Sequence, residues 1–188
     1  MKHVATEKKP ANSKPTMSST ATLRANARRK IEEGAVTVGY AANREQVIKM
    51  LNDALATEIV CMLRYKRHYF MATGVHAESV AVEFLEHAKE EEEHADAIAK
   101  RIVQLGGEPD FSPDTLTKRS HAEYVPGKTL VDMIKEDLVA ERIAIDSYRE
   151  MLEVIGSDDP TTRRMITWIL AVEEEHADDL AGLLDAGR

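Results

Sequence analysis

Apolar side chains recur every three or four residues in four long stretches of this chain, which is the spacing of one face of an α-helix. In the first stretch, Val47, Leu51 and Leu55 mark this face. Cap and turn residues set the bounds of each stretch. The sequence therefore predicts an all-α fold with four long helices, at about 44–72, 78–106, 129–156 and 159–186.

Residues typical of helix ends and the lengths of the connections predict how these helices are arranged. Asn43 with Gln46 resembles a capping box before the first helix, and Pro160 suits the first position of the fourth. Short connections join the first helix to the second and the third to the fourth, so each pair should form an antiparallel hairpin. The 106–128 segment is long enough to cross the bundle, and we expect a short helix to begin in it near Ser112.

Carboxylate and imidazole side chains interrupt the apolar face of every predicted helix. The first and third helices each carry one Glu on this face, and the second and fourth each carry a Glu-x-x-His pair, 33 or 32 residues later. The pattern of the first half recurs in the second half after 83 or 82 residues, so the chain contains two copies of one unit. The six residues are Glu58, Glu91, His94, Glu141, Glu173 and His176.

These six residues predict a metal site. Oxygen and nitrogen ligands together suit Fe, Mn or Zn, and a spacing of three residues places a Glu and a His on adjacent parts of one helix face. Four buried carboxylates without partners would be destabilised by desolvation and repulsion, whereas two divalent cations would offset their charge. One Glu from each of two helices and a Glu-x-x-His from each of two others is typical of di-metal carboxylate bundles.

Residues near this pattern have simpler interpretations. Tyr65 and Tyr148 follow Glu58 and Glu141 by seven residues, so they could be radical sinks at the site or ordinary core tyrosines with bonded hydroxyls. We predict a solvated helix face for Glu90, Glu92, Glu93, Glu174 and Glu175, a surface position rather than a role beside the site for His87, packing for Trp168 and a buried thiol for Cys61. The sequence shows no partner pattern for His3, His68, His76 and His121, so we expect no particular role for them.

Composition narrows the class of protein. With 188 residues the chain is long enough for one domain with a core, and 5% aromatic with 31% charged residues favours helices over sheets. No apolar run approaches the roughly 18 residues of a membrane span, and no secretory segment is found. We therefore expect a cytoplasmic protein without a membrane partner. The single cysteine excludes an intrachain disulfide.

Charge divides the chain into two regions. Residues 1–30 carry eight Lys or Arg and one Glu, a net charge of +7, whereas residues 31–188 carry 17 basic and 32 acidic residues, a net charge of −15. We expect a flexible basic arm at 1–30, because its start is rich in Ser, Thr and Pro and poor in apolar side chains. Such an arm could bind DNA without sequence preference; an organelle transit peptide is the less favoured interpretation. The four-helix bundle would occupy 31–188.

Four segments resemble the helices of the bacterioferritins, over residues 43–185: LNDALATEIVCMLRY, EEEEHADAIAKRI, EDLVAERIAIDSY and ILAVEEEHADDL. The resemblance implies a ferritin-like four-helix bundle with two iron ions in a diiron centre within each subunit. Tyr65 resembles the tyrosine beside the family's centre. By motif, the resemblance assigns Glu91 and Glu173 as bridging ligands, Glu58 and His94 to one iron site, and Glu141 and His176 to the other.

Two departures from the bacterioferritins change the assembly that we expect. Glu92 stands where those proteins have the methionine that binds haem, so no haem is expected. The sequence ends at Arg188, so we do not expect the fifth C-terminal helix that lines the channels of the family's 24-subunit shell. These features, with the long crossover and the basic arm, resemble the Dps mini-ferritins, although those place a different site between subunits. We expect a Dps-like homo-oligomer of 12 subunits, with 24 as the alternative.

The resemblance also implies a function. The chain would be a ferroxidase that oxidises Fe(II) with hydrogen peroxide or dioxygen, stores the Fe(III) in its shell and so protects against oxidative damage. One alternative is a diiron or dimanganese enzyme, such as a peroxidase or a catalase, without storage. Another is a DNA-binding protein of the Dps type. The ligand types alone leave iron, manganese and zinc open.

Overall fold

A computed structural model describes residues 16–75 and 77–186, and the predicted all-α fold is confirmed for them. The first half of the predicted basic arm, residues 1–15 with His3, lies outside the described residues, as does His76. None of the described helices has the length and apolar character needed to cross a membrane. The helices are α1 (Thr20–Asn26), α2 (Arg44–Met71), α3 (Ala77–Gln104), α4 (Leu116–Arg119), α5 (Leu130–Ile155) and α6 (Pro160–Ala186), with a turn of 3-10 helix at Ile31–Glu33.

Side-chain caps and a glycine fix the ends of the long helices. Asn43 Oδ1 accepts a hydrogen bond from the Gln46 amide at 3.2 Å where α2 begins. At the start of α5, Thr129 and Asp132 form a capping box in which each side chain bonds the other's backbone amide. Gly156 ends α5 with a φ of 57°, which glycine adopts without strain. The four long helices therefore lie within two residues of their predicted bounds.

The four long helices form two hairpins that face each other. Short connections join α2 to α3 and α5 to α6, and each of these pairs is in extensive contact. Across the bundle, Glu58 of α2 bonds Tyr148 of α5, whereas Tyr65 of α2 bonds Glu141 of α5. Since the later residue of α2 meets the earlier residue of α5, these two helices are antiparallel.

The long crossover between α3 and α5 runs beside α2. Near the start of α2, the Asn52 amide nitrogen donates to the Glu108 carbonyl at 3.2 Å. Near its end, the Arg64 guanidinium donates to the Glu123 carbonyl at 2.8 Å. The crossover therefore travels the length of the bundle in the direction of α2, as its length predicts.

The short helix in the crossover begins at Leu116, which corrects the predicted start near Ser112. The preceding residues form a turn instead, in which the Thr115 amide donates to the Ser112 carbonyl at 3.3 Å. Leu116 is buried against Ala56 of α2. The helix forms where an apolar side chain can reach α2.

A buried ion pair anchors the crossover to the bundle. The Arg64 Nε donates to Asp137 Oδ1 at 2.8 Å, and both side chains are buried. His68 Nδ1 lies 2.7 Å from Asp137 Oδ2, and its Nε2 lies 3.1 Å from the Pro126 carbonyl oxygen. His68, for which the sequence shows no partner pattern, therefore has a partner at each ring nitrogen. His121 also has one, because its Nδ1 lies 3.2 Å from a threonine hydroxyl of α2.

Two apolar layers fill the core and leave a polar layer between them. One layer includes Leu51 of α2 and Ile169 of α6. The other includes Phe84 of α3 and Leu180 of α6. Along α6, the residues between 169 and 180 contain the second Glu-x-x-His pair. The apolar periodicity thus carries the predicted ligands into the middle of the bundle.

The segment before α2 packs against one end of the bundle. Within the predicted arm, α1 has no buried residue. Further on, Val36 is buried in the core, and the Tyr40 hydroxyl donates to Asp159 Oδ2 at 2.9 Å. The chain therefore joins the folded body before α2 begins.

Candidate metal centre

Four Glu and two His residues fill the polar layer, and each residue is at most 1% exposed. The helices α2 and α5 each supply one Glu, while α3 and α6 each supply a Glu-x-x-His pair. The structure brings together all six residues that the sequence predicts as ligands. We refer to them as the central site: Glu58, Glu91, His94, Glu141, Glu173 and His176.

The central site consists of two overlapping groups, and within each group the ligand atoms all lie within 4.8 Å of one another. The first group is Glu58, Glu91, His94 and Glu173, and the second is Glu91, Glu141, Glu173 and His176. Glu91 and Glu173 belong to both groups. Each group has the oxygen and nitrogen atoms to hold a cation, and the two shared carboxylates could contact both cations.

Helical spacing and the packing of the two hairpins create these contacts. Within α3, His94 Nδ1 lies 3.5 Å from Glu91 Oε2, and within α6, His176 Nδ1 lies 3.7 Å from Glu173 Oε2. Across the bundle, His94 Nδ1 lies 3.0 Å from Glu173 Oε1 and 3.2 Å from Glu58 Oε2. One imidazole therefore faces carboxylates from three helices.

Several buried atoms of the central site have no hydrogen-bond partner among the described residues. They include Glu91 Oε1, Glu141 Oε2, Glu173 Oε2 and His176 Nδ1. Buried polar atoms are nearly always bonded, and an unpaired one costs about 1–3 kcal/mol. A divalent cation accepts electron pairs from oxygen and nitrogen together, so it would satisfy these atoms at once. The donor set fits a metal.

Burial and mutual repulsion perturb the pKa values of the carboxyl groups. Burial raises the pKa of Glu91 well above its ordinary value, and the charges of Glu173, Glu58 and Glu141 raise it further. Burial and the charge of Glu173 likewise raise the pKa of Glu141 well above its ordinary value. Burial lowers the pKa of His94, but hydrogen bonds to Glu173 and Glu58 raise it overall to about 10. Without a cation, protons take its place in balancing the charge.

Two buried tyrosines bond carboxylates of the opposite half of the chain. Tyr65 donates to Glu141, and Tyr148 donates to Glu58. Burial and then the charges of these carboxylates raise the pKa of both phenols well above the ordinary value. Both hydroxyls therefore remain protonated donors. Tyr65 lies beside the central site, and Tyr148 occupies the equivalent place in the second half.

The predicted surface position of His87 is wrong, because its side chain is only 2% exposed. Its ring stacks on that of His176, with ring centroids 4.0 Å apart, and its Nδ1 lies 3.3 Å from the Tyr65 hydroxyl oxygen. Burial and then the charge of His176 lower the pKa of His87 to about 3, so its imidazole is neutral. The spacing of four residues between His87 and Glu91 is the signal in the sequence that places both on one face.

Three further neighbours complete the surroundings. Glu90 keeps a side chain that is 40% exposed, but its Oε2 also accepts a hydrogen bond from His176 Nε2 at 2.7 Å, which the sequence does not predict. Trp168 meets the His94 ring edge-on, with centroids 5.2 Å apart, and stays 45% exposed. Cys61 is buried as predicted, and burial raises the pKa of its thiol well above the ordinary value.

Comparisons with known proteins agree with this architecture. Residues 48–188 match the family described as ferritin-like domain. The chain is 28% identical over 141 residues to a bacterioferritin of Desulfovibrio desulfuricans, covering 72% of this chain and 75% of that protein. It is 30% identical over 153 residues to a "DNA protection during starvation protein" of Pyrococcus furiosus, covering 79% of each.

Two solved structures illustrate the similarity of the fold, one of a bacterioferritin-related protein and one of a Dps. One is described as a dodecameric thioferritin, a bacterioferritin-related protein of Bacteroides fragilis, with a TM-score of 0.75, 33% identity, and coverage of 78% of this chain and 89% of that one. The Dps of Thermosynechococcus elongatus has a TM-score of 0.72 and 24% identity, and covers 74% of this chain and 90% of its own. The second likeness concerns the fold alone.

Proposed function

The chain belongs to the ferritin-like domain family, and from this we propose that it is a ferroxidase that oxidises Fe(II) with hydrogen peroxide or dioxygen and sequesters the Fe(III). The observation that carries the proposal is the central site, with two overlapping ligand groups and unpartnered buried atoms. In this proposal, Glu58 and His94 hold one iron ion, Glu141 and His176 hold the other, and Glu91 and Glu173 contact both.

The two Fe(II) ions supply the chemistry, since their oxidation delivers the two electrons that, with two protons, convert one hydrogen peroxide to two waters. The protein supplies the setting. Tyr65 and Tyr148 orient carboxylates through their hydroxyls. Glu90 binds His176 Nε2 and so leaves the other ring nitrogen facing the central site. The apolar layers above and below exclude bulk water.

Storage requires an enclosing shell, and we propose a homo-oligomer of 12 subunits. Support comes from the Bacteroides fragilis protein, which is described as dodecameric. Twelve chains of 21.0 kDa give a particle of about 250 kDa, and the alternative of 24 gives about 500 kDa. The net charge of −15 on residues 31–188 would concentrate Fe(II) at the surface of such a shell. Light scattering distinguishes the two sizes.

The test of ferroxidase activity is anaerobic addition of Fe(II) to metal-free protein, followed by hydrogen peroxide or dioxygen, with Fe(III) read in the near ultraviolet. We expect rapid oxidation of two Fe(II) per chain. Glu91→Ala should abolish it, whereas Glu92→Ala, on the exposed side of the same helix, should not. Oxidation by Glu91→Ala at the full rate would refute the central site, and disproportionation of peroxide by the manganese-loaded protein alone would favour the dimanganese alternative.

The net charge of +7 on residues 1–30 favours DNA binding as a second function. Phosphate contacts by such an arm would carry no sequence preference and would weaken steeply with salt, and repetition of the arm in an oligomer would multiply the affinity. The name of the Pyrococcus furiosus relative accords with this role. A gel shift that compares the full chain with residues 31–188 tests it. Equal DNA affinity of the two would refute a role for the arm.

A further inference from the structure

A second group of ligand side chains lies outside the central site, at the solvent side of His87. It consists of Glu83, His87 and Asp179, whose ligand atoms all lie within 4.8 Å of one another. We propose that this outer cluster binds one divalent cation and, given the proposed function, supplies Fe(II) to the central site. The sequence alone predicts none of these three residues as a metal ligand.

The outer cluster combines a buried nitrogen with two accessible carboxylates. His87 Nε2 lies 3.4 Å from Glu83 Oε1 and 3.8 Å from Asp179 Oδ2. Both separations are longer than an ordinary N–H···O hydrogen bond. The His87 side chain is 2% exposed, whereas those of Glu83 and Asp179 are 33% and 48% exposed. A cation could therefore arrive from solvent and meet an imidazole that is already fixed.

The hydrogen bonds of Tyr65 determine which nitrogen of His87 carries its proton. The Tyr65 hydroxyl donates to Glu141, so its oxygen is left to accept from His87 Nδ1. With the proton on Nδ1, Nε2 presents a lone pair to the two carboxylates. Three electron-pair donors that face one another repel. A cation between them would accept an electron pair from each and so remove this repulsion.

The distances between these donors match a coordination shell. With bonds of about 2.1 Å to nitrogen and oxygen, two ligands of a tetrahedral ion lie about 3.4 Å apart. The separations of 3.4 Å and 3.8 Å require little adjustment, and Glu83 and Asp179 are accessible enough to make it. An imidazole with two carboxylates suits Fe(II), Co(II) or Zn(II).

The surroundings of the outer cluster are negative. Burial raises the pKa of Glu83, and the charges of Asp179 and Glu86 raise it further. Among residues 16–75 and 77–186, neither carboxylate of the outer cluster forms an ion pair with Lys or Arg. This uncompensated charge would attract a divalent cation.

His87 joins the outer cluster to the central site. Its ring stacks on His176 with an angle of 20° between the ring planes. Its Nδ1 reaches Tyr65, which bonds Glu141. A cation held by Nε2 is therefore separated from the central ligands by one imidazole ring, and partly exposed Glu90 bonds the His176 ring on which His87 stacks. This position suits a site from which Fe(II) enters.

Binding of Co(II) to the metal-free oligomer tests the site without any oxidation. We compare Glu83→Gln/Asp179→Asn with the control Glu92→Gln/Asp178→Asn, which removes two exposed carboxylates from the same helices. Visible Co(II) absorption and titration calorimetry should give three ions per chain for the wild type and the control, and two for the outer-cluster variant. Equal stoichiometry in all three proteins would overturn the proposal.

Oxidation kinetics test the supply role separately. At limiting Fe(II), the outer-cluster variant should oxidise iron about tenfold more slowly than the control, because the local attraction for cations is lost, but it should still oxidise two Fe(II) per chain. An unchanged rate would overturn the supply role. If none of the three proteins oxidises iron, the proposed ferroxidase function fails. The Co(II) stoichiometry still decides whether the outer cluster binds a cation.

Discussion

Tyr65 in the first half of the chain donates a hydrogen bond to Glu141 in the second half, and Tyr148 in the second half donates the equivalent bond to Glu58 in the first. Each tyrosine follows the Glu of its own helix by seven residues but bonds the Glu of the facing helix. Because α2 and α5 are antiparallel, this exchange fixes their relative register at the level of the central site. The internal repeat of the sequence therefore becomes a reciprocal pair of contacts.

Loss of either hydroxyl should weaken metal binding. In Tyr65→Phe, Glu141 loses a donor that lowers its pKa, so protons compete better with the cation. A hydrogen bond to a charged group contributes about 1.5–3 kcal/mol, which corresponds to roughly tenfold or more in affinity. Calorimetric titration with Co(II) at pH 7 measures the effect. Tyr124→Phe, which alters a half-exposed tyrosine of the crossover, is the control and should bind as the wild type.

Removal of one central carboxylate should stabilise the metal-free protein. Glu91 is destabilised by burial and by the charges of Glu173, Glu58 and Glu141, so Glu91→Gln replaces a repelled group with a neutral one of similar size. We expect a gain of about 0.5–2 kcal/mol in the free energy of unfolding, as for other functional sites relieved of strain. Urea denaturation of the metal-free proteins at pH 8 provides the measurement.

The same variant should lose the stabilisation that a metal provides. Zn(II) should raise the unfolding temperature of the wild type because the cation binds the folded state only. Glu91→Gln should respond much less, since both ligand groups contain Glu91. A variant that is less stable than the wild type without metal would contradict the repulsion argument, with Glu92→Gln as the comparison.

Stability of the metal-free protein should fall as pH rises from about 7 to 10. The pKa of His94 is raised from 6.5 to about 10 in the folded state, so between these values the folded protein holds a proton that the unfolded chain releases. Rising pH removes this advantage, by at most about 1.4 kcal/mol per pH unit for one proton. His87, with its pKa lowered to about 3, acts below this window. Urea midpoints at several pH values, at one protein concentration, measure the slope.

A bound cation should abolish this slope, because it holds the charges that the proton otherwise balances. The zinc-loaded protein is therefore expected to keep its stability up to about pH 9. A metal-free protein whose stability rises between pH 7 and 9 would contradict the electrostatic description of His94.

The sequence predicts the six residues of the central site because each lies on an apolar helical face, where a charged group needs a partner. It predicts the surroundings less well. His68 bonds Asp137, which is 69 residues away, and no periodicity within one helix can reveal such a pair. Glu90 lies in a run of acidic residues that is usually solvated, so its bond to His176 follows only from the packing of α3 against α6.

The sequence contains one indication that His87 lies beside the central site, since His87 lies one turn before Glu91 on the same helix face. A single helical position cannot show whether a face near the solvent boundary is covered, and here α6 covers it through His176. The late start of α4 has a similar cause, because contact of Leu116 with α2 determines where that helix forms.

The last prediction concerns a buried ion pair at the opposite end of the bundle from His87. Arg101 donates to both oxygens of Asp159, at 2.9 Å and 3.0 Å, and to the Thr162 hydroxyl at 2.8 Å. Asp159 Oδ1 also accepts from the Thr162 amide at the start of α6, and its Oδ2 accepts from the Tyr40 hydroxyl. One carboxylate therefore joins α3, α6 and the segment before α2.

Asp159→Ala should lower the free energy of unfolding by about 3–5 kcal/mol, because it leaves the Arg101 guanidinium buried without its counter-charge. The exposed neighbour provides the control, and Asp158→Ala should change stability little.

Because Tyr40 loses its acceptor in Asp159→Ala, the segment around Val36 should also detach more readily and be cleaved faster in limited proteolysis. Equal proteolysis of the two variants would show that the apolar contacts of Val36 suffice to hold this segment.

Burial raises the pKa of Asp159, but bonds to Thr162 and Arg101 outweigh burial and lower the pKa from its ordinary value of 3.8. The contribution of the ion pair to stability is therefore present above about pH 4 and is lost as pH falls below it. The two variants should converge in stability in acid.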